Sequence, residues 1–435
     1  MLKKELQEKI KKAKESSFEL LNIDSKIRKK VLLDLSSEII INQNKILSAN
    51  QIDIKNARIA KKLESFIERL SFSESKIKDL AKSVQNVARL KDLVGEVIEK
   101  RKRPNGMNLK KIKTPLGFIA IIYESRPNVT VDAFCLAFKS GNAVILKGGK
   151  EIQNTNNILI RIIRKVLKKY KINENIILDI SGVNRKLGEE IFVNQNIDCL
   201  IPRGGKSLIN FVRNNAQIPV IITGASVVHI FVDKSADISL ASNVVFNSKM
   251  RRVSICNTLD TLLLDKKIYI KFLEKFISMS MRTQNFAHLK KYLSLDDLLE
   301  IRADNLSFSV LKKLKYKKLK KLKLSDYDTE FLDYIMSIKV VDNIDQALEH
   351  IRRHSLGHSE AIITKSIDNK NKFFREIDSA CLYHNTSTQF GDGGEFGLGA
   401  EIGISTQKLH ARGPFAYESL FTYKYVIESN GLIRK

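Results

Sequence analysis

The spacing of apolar residues changes near residue 100. Before it they recur every three to four positions, through Ile27, Val31, Leu32 and Leu35 and again through Ile77, Leu80, Ala81, Val84 and Val87. That is the period of helices with one buried face. Beyond the basic patch 100–103 and the turn former Pro104-Asn105-Gly106, short apolar runs alternate with longer amphipathic stretches. Runs 118–123, 143–147, 176–180, 199–202 and 219–222 read as strands, and segments near 130–140, 153–169, 186–194 and 206–214 as helices. Five strands separated by four helices predict a parallel, doubly wound α/β sheet with right-handed crossovers. Ligands of such sheets sit at the carboxyl ends of the strands, which singles out the loops after Tyr123, Lys147, Ile180 and Pro202.

A second α/β run begins near 228. Strands are expected at 229–232, 261–264, 337–341 and 361–364, with helices at 237–249, 267–280, 343–354 and 368–376. Residues 283–328 are less regular, and their lysine-rich run 312–323 reads as a solvated helix face. The tail from Asn385 is rich in Gly and Thr, with a strand at 420–427. A length of 435 residues suits two or three such units.

Composition narrows the class. No stretch supplies the ~20 unbroken apolar residues of a membrane span; the nearest, 218–232, is broken by Pro219, Thr223, Gly224, Ser226 and His229. The first twenty residues carry Lys and Glu throughout, with no apolar signal core, so a cytoplasmic protein is expected. Lys and Arg number 75 against 48 Asp and Glu, a formal +27. The excess is diffuse, there is no Trp, and no nucleic-acid-binding signature interleaves with it, so neither nucleic acid nor membrane is the expected partner. A non-enzymatic polyanion binder remains the reading that charge alone would favour.

The four cysteines, Cys135, Cys199, Cys256 and Cys381, form no CxxC pair, so neither a zinc ribbon nor a disulfide framework is indicated. Cys135 lies on the apolar face of 131–138, and Cys199 and Cys381 lie inside strand-like runs. Cys256 differs. It sits in a loop-like segment, Met250-Arg251-Arg252-Val253-Ser254-Ile255-Cys256-Asn257, behind Lys249, Arg251 and Arg252, and nearby cations favour the reactive thiolate.

Tyr123-Glu124-Ser125-Arg126-Pro127-Asn128-Val129-Thr130 leaves the first strand of the sheet and opens a helix. Asn128 or Thr130 can cap that helix, Thr130 being the better cap, and an Asn amide here can instead donate to a developing oxyanion. Lys147-Gly148-Gly149 and Arg203-Gly204-Gly205 each follow a strand and precede a helix, where glycines let backbone approach a phosphate. His350, His354 and His358 are spaced i, i+4, i+8, but Gly357 ends the helix before the third and no further ligand completes a set, so no metal is expected. Gly393-Gly394-Glu395-Phe396-Gly397-Leu398-Gly399 reads as a turn-rich packing segment.

Together these segments resemble the gamma-glutamyl phosphate reductase family of the aldehyde dehydrogenase superfamily. The resemblance covers 123–130, 140–149, 200–209, 229–237, 249–263 and 341–362. Its most specific block is Phe396-Gly397-Leu398-Gly399-Ala400-Glu401-Ile402-Gly403-Ile404-Ser405-Thr406-Gln407-Lys408-Leu409-His410-Ala411-Arg412-Gly413-Pro414. It implies an aldehyde-dehydrogenase-like fold of two doubly wound α/β domains with an oligomerisation flap. A cofactor domain over 1–227 would contribute 104–117 to the flap. A catalytic domain would span 228–366, and 367–435 would return to the cofactor domain and the oligomerisation segment. The implied reaction is NADPH-dependent reduction of L-glutamyl 5-phosphate to glutamate 5-semialdehyde and phosphate, the second step of proline biosynthesis. Its partners would be a homo-oligomer and, as a source of substrate, glutamate 5-kinase.

By the same resemblance Cys256 is the thioester-forming nucleophile and Asn128 the oxyanion-stabilising residue. Lys147 meets the adenosine ribose, Gly149 lies in its loop, and Arg203, Gly204 and Gly205 form the pyrophosphate loop. Glu330 holds the nicotinamide ribose. Arg126, Arg252 and Arg412, with Arg251, are candidates for the substrate's anionic groups, because guanidinium binds phosphate and carboxylate bidentately. Hydrolytic aldehyde dehydrogenases need a carboxylate base to activate water; where their motif has it, this chain reads Ile222-Thr223-Gly224-Ala225. That favours the reductive, acyl-phosphate reading over aldehyde oxidation. Another NAD(P)-dependent acylating aldehyde dehydrogenase of the same superfamily is the alternative.

Overall fold

The computed structural model describes residues 3–62, 64–124, 126–279, 289 and 294–434. Ser125, the last residue of the helix expected at 267–280, and most of 283–293 therefore lie outside the described residues. The chain forms two compact units. The first comprises residues up to Thr223, Gly397–Gly403 and those from Gln407 on; the second comprises Gly224–Phe396 and Ile404–Thr406.

The first unit opens with helices α1 (Lys3–Glu19), α2 (Ser25–Ile41), α3 (Gln43–Ile59), α4 (Glu64–Leu70) and α5 (Glu74–Arg89). α5 buries Ile77, Leu80, Ala81, Val84 and Val87, the periodic residues of the sequence, and its N-cap Ser73 accepts from the Lys76 amide. A hairpin follows, β1 (Val97–Lys102) and β2 (Asn108–Pro115), turning at Pro104-Asn105-Gly106. Then come β3 (Phe118–Tyr123), α6 (Asn128–Lys139), β4 (Ala143–Lys147), α7 (Gln153–Lys169), β5 (Ile177–Asp179), α8 (Arg185–Gly188), β6 (Cys199–Arg203) and α9 (Lys206–Asn215).

β3 to β6 pair parallel in the order β5-β4-β3-β6. β3 is buried at all six positions, as befits a central strand covered on both faces. The run 219–222 does not become a fifth strand. It makes a single bridge, Val220 to Leu200, because the chain touches the sheet edge only briefly after Pro219. The strand order reverses between β3 and β6, and that switch point opens a crevice at their carboxyl ends.

The second unit carries β7 (Val228–Val232), α10 (Ile238–Met250), β8 (Leu259–Asp265), α11 (Tyr269–Ile277), β9 (Glu300–Ala303), α12 (Asn305–Lys313), β10 (Leu319–Lys321), β11 (Ile335–Val341), α13 (Ile344–His354), β12 (Ser359–Ile363), α14 (Ile367–Glu376) and β13 (Cys381–His384). Its seven strands form one parallel sheet in the order β10-β9-β11-β8-β7-β12-β13. The lysine-rich run 312–323 is not one helix face. Lys312 and Lys313 end α12, and Leu319–Lys321 forms the edge strand β10, where lysines discourage further pairing. The chain leaves this unit at 397, not at 367 as expected, because β13 pairs with β12.

Last come β14 (Glu401–Ser405), β15 (Gly413–Ala416) and β16 (Phe421–Glu428). β16 pairs antiparallel with β2 along its whole length, giving a ribbon in the order β1-β2-β16. β16 thus pairs with 108–115, within the segment 104–117, and the ribbon begins earlier, at Val97. No helix among the described residues is long and apolar enough to cross a membrane.

Candidate active site

In the first unit, Lys147 ends β4 beside Ile122 and Arg203 ends β6 beside Tyr123, flanking the end of β3. A Cβ on Gly188 would lie 2.4 Å from Lys147 Cε, so the missing side chain lets the lysine stem lie against α8. The Gly148 amide donates to Ser181 Oγ (2.9 Å), and a Cβ there would meet Asn156 Nδ2 at 2.7 Å. Gly149 leads into α7, whose N-cap residue Ile152 offers no capping side chain. Asp53 of α3 caps that helix from afar, accepting from the Asn154 amide (3.2 Å) and Nδ2 (2.8 Å) and from the Thr155 amide (2.9 Å) and Oγ1 (2.6 Å).

Across the switch point, Gly205 is the N-cap of α9, and its amide donates to Glu124 Oε1 at 2.9 Å. A carboxylate from the β3–α6 loop thus already occupies an anion position of the Arg203-Gly204-Gly205 turn. The same loop carries Arg126, half-buried, and Asn128, the first residue of α6. Asn128 Nδ2 donates to Asp132 Oδ2 (3.0 Å), which orients the amide; Asp132 is tied to Ser83 (3.1 Å), and burial pushes its carboxyl up from the usual range. Thr130 does not cap α6. It is fully buried, bonded to the Tyr123 hydroxyl (2.8 Å) and to Asn156 Oδ1 (2.6 Å). Arg412, half-buried, belongs to the first unit, whereas Arg252 is exposed in the second.

In the second unit the candidate nucleophile lies at the opposite edge of the sheet from where the strand-end rule points. Cys256 precedes β8, and its loop is held by side chains. Thr258 Oγ1 (2.7 Å) and Gln389 Nε2 (3.2 Å) donate to the Arg252 carbonyl, Thr388 Oγ1 to that of Asn257 (2.7 Å), and Ser226 Oγ to that of Cys256. Asn257 Nδ2 in turn donates to the Gly391 carbonyl at 2.9 Å. Cys256 is partly exposed, while Cys135, Cys199 and Cys381 are buried, and burial raises the thiols of Cys135 and Cys199. Only Cys256 has the access a nucleophile needs.

Glu330 joins this edge, its Oε1 lying 3.2 Å from Ser226 Oγ. Burial, and next the charge of Asp260, push its carboxyl up to about 7, against the pull of its bonds to Ser226. Asp260 accepts from the amides of Val228 (3.2 Å) and Phe331 (3.1 Å). Lys249 is fully buried, its Nζ without a hydrogen bond among the described residues, and burial drives its amine down to about 8 despite Asp260. Of the expected site residues, Cys256 and Glu330 are thus brought together in the second unit, and Arg126, Asn128, Lys147, Gly149 and Arg203–Gly205 at one sheet edge of the first. Ser226, Asp260, Thr388 and Gln389 were not foreseen. An Asp inside the apolar run of β8 was the available signal, since a charge is buried only with partners. The ring centroids of His350 and His354 lie 4.5 Å apart, tilted by 40°, while His358 lies beyond the helix end, and no set of three potential metal ligands occurs among the described residues.

The aldehyde dehydrogenase family model matches residues 2–287. A gamma-glutamyl phosphate reductase of Clostridium tetani is 42% identical over 434 residues, 100% of this chain and 99% of the relative. The crystal structure of the gamma-glutamyl phosphate reductase of Thermotoga maritima superposes with a TM-score of 0.89 at 39% identity, covering 98% of this chain and 99% of that one. A glyceraldehyde-3-phosphate dehydrogenase of Methanocaldococcus jannaschii, crystallised with NADP, shares the fold at 19% identity and a TM-score of 0.67, over 99% of this chain and 95% of that one. With full-length likeness to these reductases, and an accessible cysteine on a braced loop beside an α/β sheet, the chain belongs to the gamma-glutamyl phosphate reductase family, an oxidoreductase branch of the aldehyde dehydrogenases.

Proposed function

We propose that this chain reduces L-glutamyl 5-phosphate to L-glutamate 5-semialdehyde and phosphate, the second step of proline biosynthesis from glutamate. The observation that carries this reading is the end-to-end likeness to gamma-glutamyl phosphate reductases, which includes the loop bearing Cys256. The Cys256 thiolate attacks the acyl carbon, an S–C bond forms, and the C–O bond to phosphate breaks. The leaving phosphate takes up a proton, leaving a thioester on Cys256. Hydride is the chemistry a reduced nicotinamide would supply when bound, so that the thioester on Cys256 would go to the aldehyde and the thiolate be freed. Asn128, its amide oriented by Asp132, donates to the oxyanion. Neither step needs a water-activating base, in keeping with the absence of an acid at 222–225.

NADP fits the first unit. Lys147 offers a cation held flat by Gly188, α7 begins just beyond Gly149, and the Gly205 amide already carries an anionic oxygen. Lys147 and Gly149 would meet the adenosine ribose, Arg203, Gly204 and Gly205 the pyrophosphate, and Glu330 the nicotinamide ribose. Arg126, Arg252 and Arg412 are assigned to the substrate's phosphate and carboxylate. The first unit accordingly takes the cofactor and the second bears the nucleophile. The open ribbon β1-β2-β16 exposes Val97, Ile98, Tyr423, Tyr425 and Ile427 and suits a homo-oligomeric contact. The unstable acyl phosphate would come from glutamate 5-kinase in the cytoplasm.

The reverse reaction tests the proposal. Glutamate semialdehyde, phosphate and NADP are expected to yield reduced nicotinamide absorbance at a rate that needs phosphate and vanishes in Cys256→Ala. A rate without phosphate would overturn the acyl-phosphate reading.

A further inference from the structure

We propose that Glu330, acting through Ser226, is a proton-controlled positioning residue for the loop that carries Cys256. The Ser226 hydroxyl has a single hydrogen to donate. Ser226 is fully buried, and its Oγ is within bonding distance of two oxygens, the main-chain carbonyl of Cys256 and Glu330 Oε1. A carbonyl oxygen only accepts, so Ser226 must donate to Cys256. The Oγ–Oε1 contact is then satisfied when the carboxyl group donates to Ser226, that is, when Glu330 is protonated. Burial and the neighbouring Asp260 disfavour the carboxylate and outweigh the bonds from Ser226, its main-chain amide included, that favour it.

Loss of the proton reverses the chain of bonds. A carboxylate is the stronger acceptor, because hydrogen bonds to charged groups outweigh neutral ones. The Ser226 hydrogen turns to Glu330, and the Cys256 carbonyl is left without its side-chain donor. On the far side the loop stays anchored by Thr388 on the Asn257 carbonyl and by Asn257 on Gly391. The charged groups around Glu330 come from several elements. Asp260 lies on β8, Lys249 on α10 faces Asp260 with Asp333 nearby, and Arg302 sits 5.0 Å from the Phe331 ring. His229 of β7 also acts on Asp260. Of these, Asp260 acts on Glu330 directly, and with burial it leaves the carboxyl poised near neutrality.

This inference rests on Cys256 being the reacting thiol. The test is the rate of Cys256 carboxamidomethylation by iodoacetamide, without cofactor or substrate, between pH 5.5 and 9.5, followed by mass spectrometry of the Cys256 peptide. After correction for the thiolate fraction, the wild-type rate is expected to change by about fivefold through a second inflection near neutral pH, the equivalent of one neutral hydrogen bond. Glu330→Gln keeps a donor toward Ser226 at every pH and should show the thiol titration alone. Ser226→Ala should lose the second inflection as well, and Glu330→Gln decides the matter should Ser226→Ala not fold. A Glu330→Gln profile that keeps the wild-type second inflection, or a wild-type profile without one, overturns the proposal. Turnover persisting in Cys256→Ala would instead overturn the nucleophile assignment.

Discussion

Replacing Asp53 by Ala should unfold the first unit more than any surface substitution, although Asp53 touches no proposed reacting atom. The residue is 2% exposed and receives four hydrogen bonds at the first turn of α7. Two of the donors are main-chain amides that cannot turn elsewhere, and Ile152 provides no local substitute. A hydrogen bond to a charged acceptor contributes about 1.5–3 kcal/mol, and an orphaned buried donor costs a similar amount. Because the Thr155 hydroxyl and the Asn154 side chain can re-pair, the net loss should be about 3–5 kcal/mol, with Asp53→Asn near half of it. Equilibrium urea unfolding followed by far-ultraviolet circular dichroism measures it. The Kd for NADPH should rise in parallel, since that turn directly follows Lys147-Gly148-Gly149. A loss of less than about 1 kcal/mol, below the value of a single such bond, would refute the claim that α7 is capped from α3.

Gly188→Ala should weaken NADPH binding while lowering the melting temperature little, because the new methyl meets only the flexible Lys147 stem; fluorescence titration checks this. Gly391→Ala places a Cβ 2.4 Å from the buried Tyr383 hydroxyl, next to the anchor of Asn257, so kcat should fall. Removing that hydroxyl in the double variant with Tyr383→Phe should restore part of the loss, and no recovery would disprove the clash. Glu330, raised from 4.5 to about 7, binds its proton more tightly in the folded chain. Its contribution to stability is complete below about 4.5 and is lost as pH rises through 7, so Glu330→Gln should gain on the wild type across that interval. The gain is bounded by about 3 kcal/mol and is read from denaturation midpoints at pH 5 and 8.

The sheets were legible wherever a strand is buried on both faces. β3 and β4 follow from unbroken apolar runs with the very bounds the pattern suggests. The run 219–222 was equally apolar yet forms one bridge, because pairing depends on a neighbouring edge that composition does not reveal. The lysines of 312–323 misled for the converse reason, since an exposed edge strand and a solvated helix face use the same residues. Cys256 stood out through its local surroundings. Its partners did not, for Ser226, Asp260 and Glu330 come from different strand ends and meet only in space. Thr130 suits a cap by its neighbours along the chain, whereas its bonds go to Tyr123 and Asn156.

The pairing of β16 with β2 also bears on how the chain is made. The hairpin β1–β2 leaves the ribosome with one edge of β2 open, and the strand that closes it arrives roughly 300 residues later, after the entire second unit. At ~5–20 residues per second, that edge waits ~15–60 s for its partner. During that interval β2 exposes unpaired backbone beside apolar side chains, the condition under which one nascent chain can borrow a strand from another. The lysines at 110, 111 and 113 lie along this waiting strand, and their mutual repulsion between copies would guard it until β16 arrives.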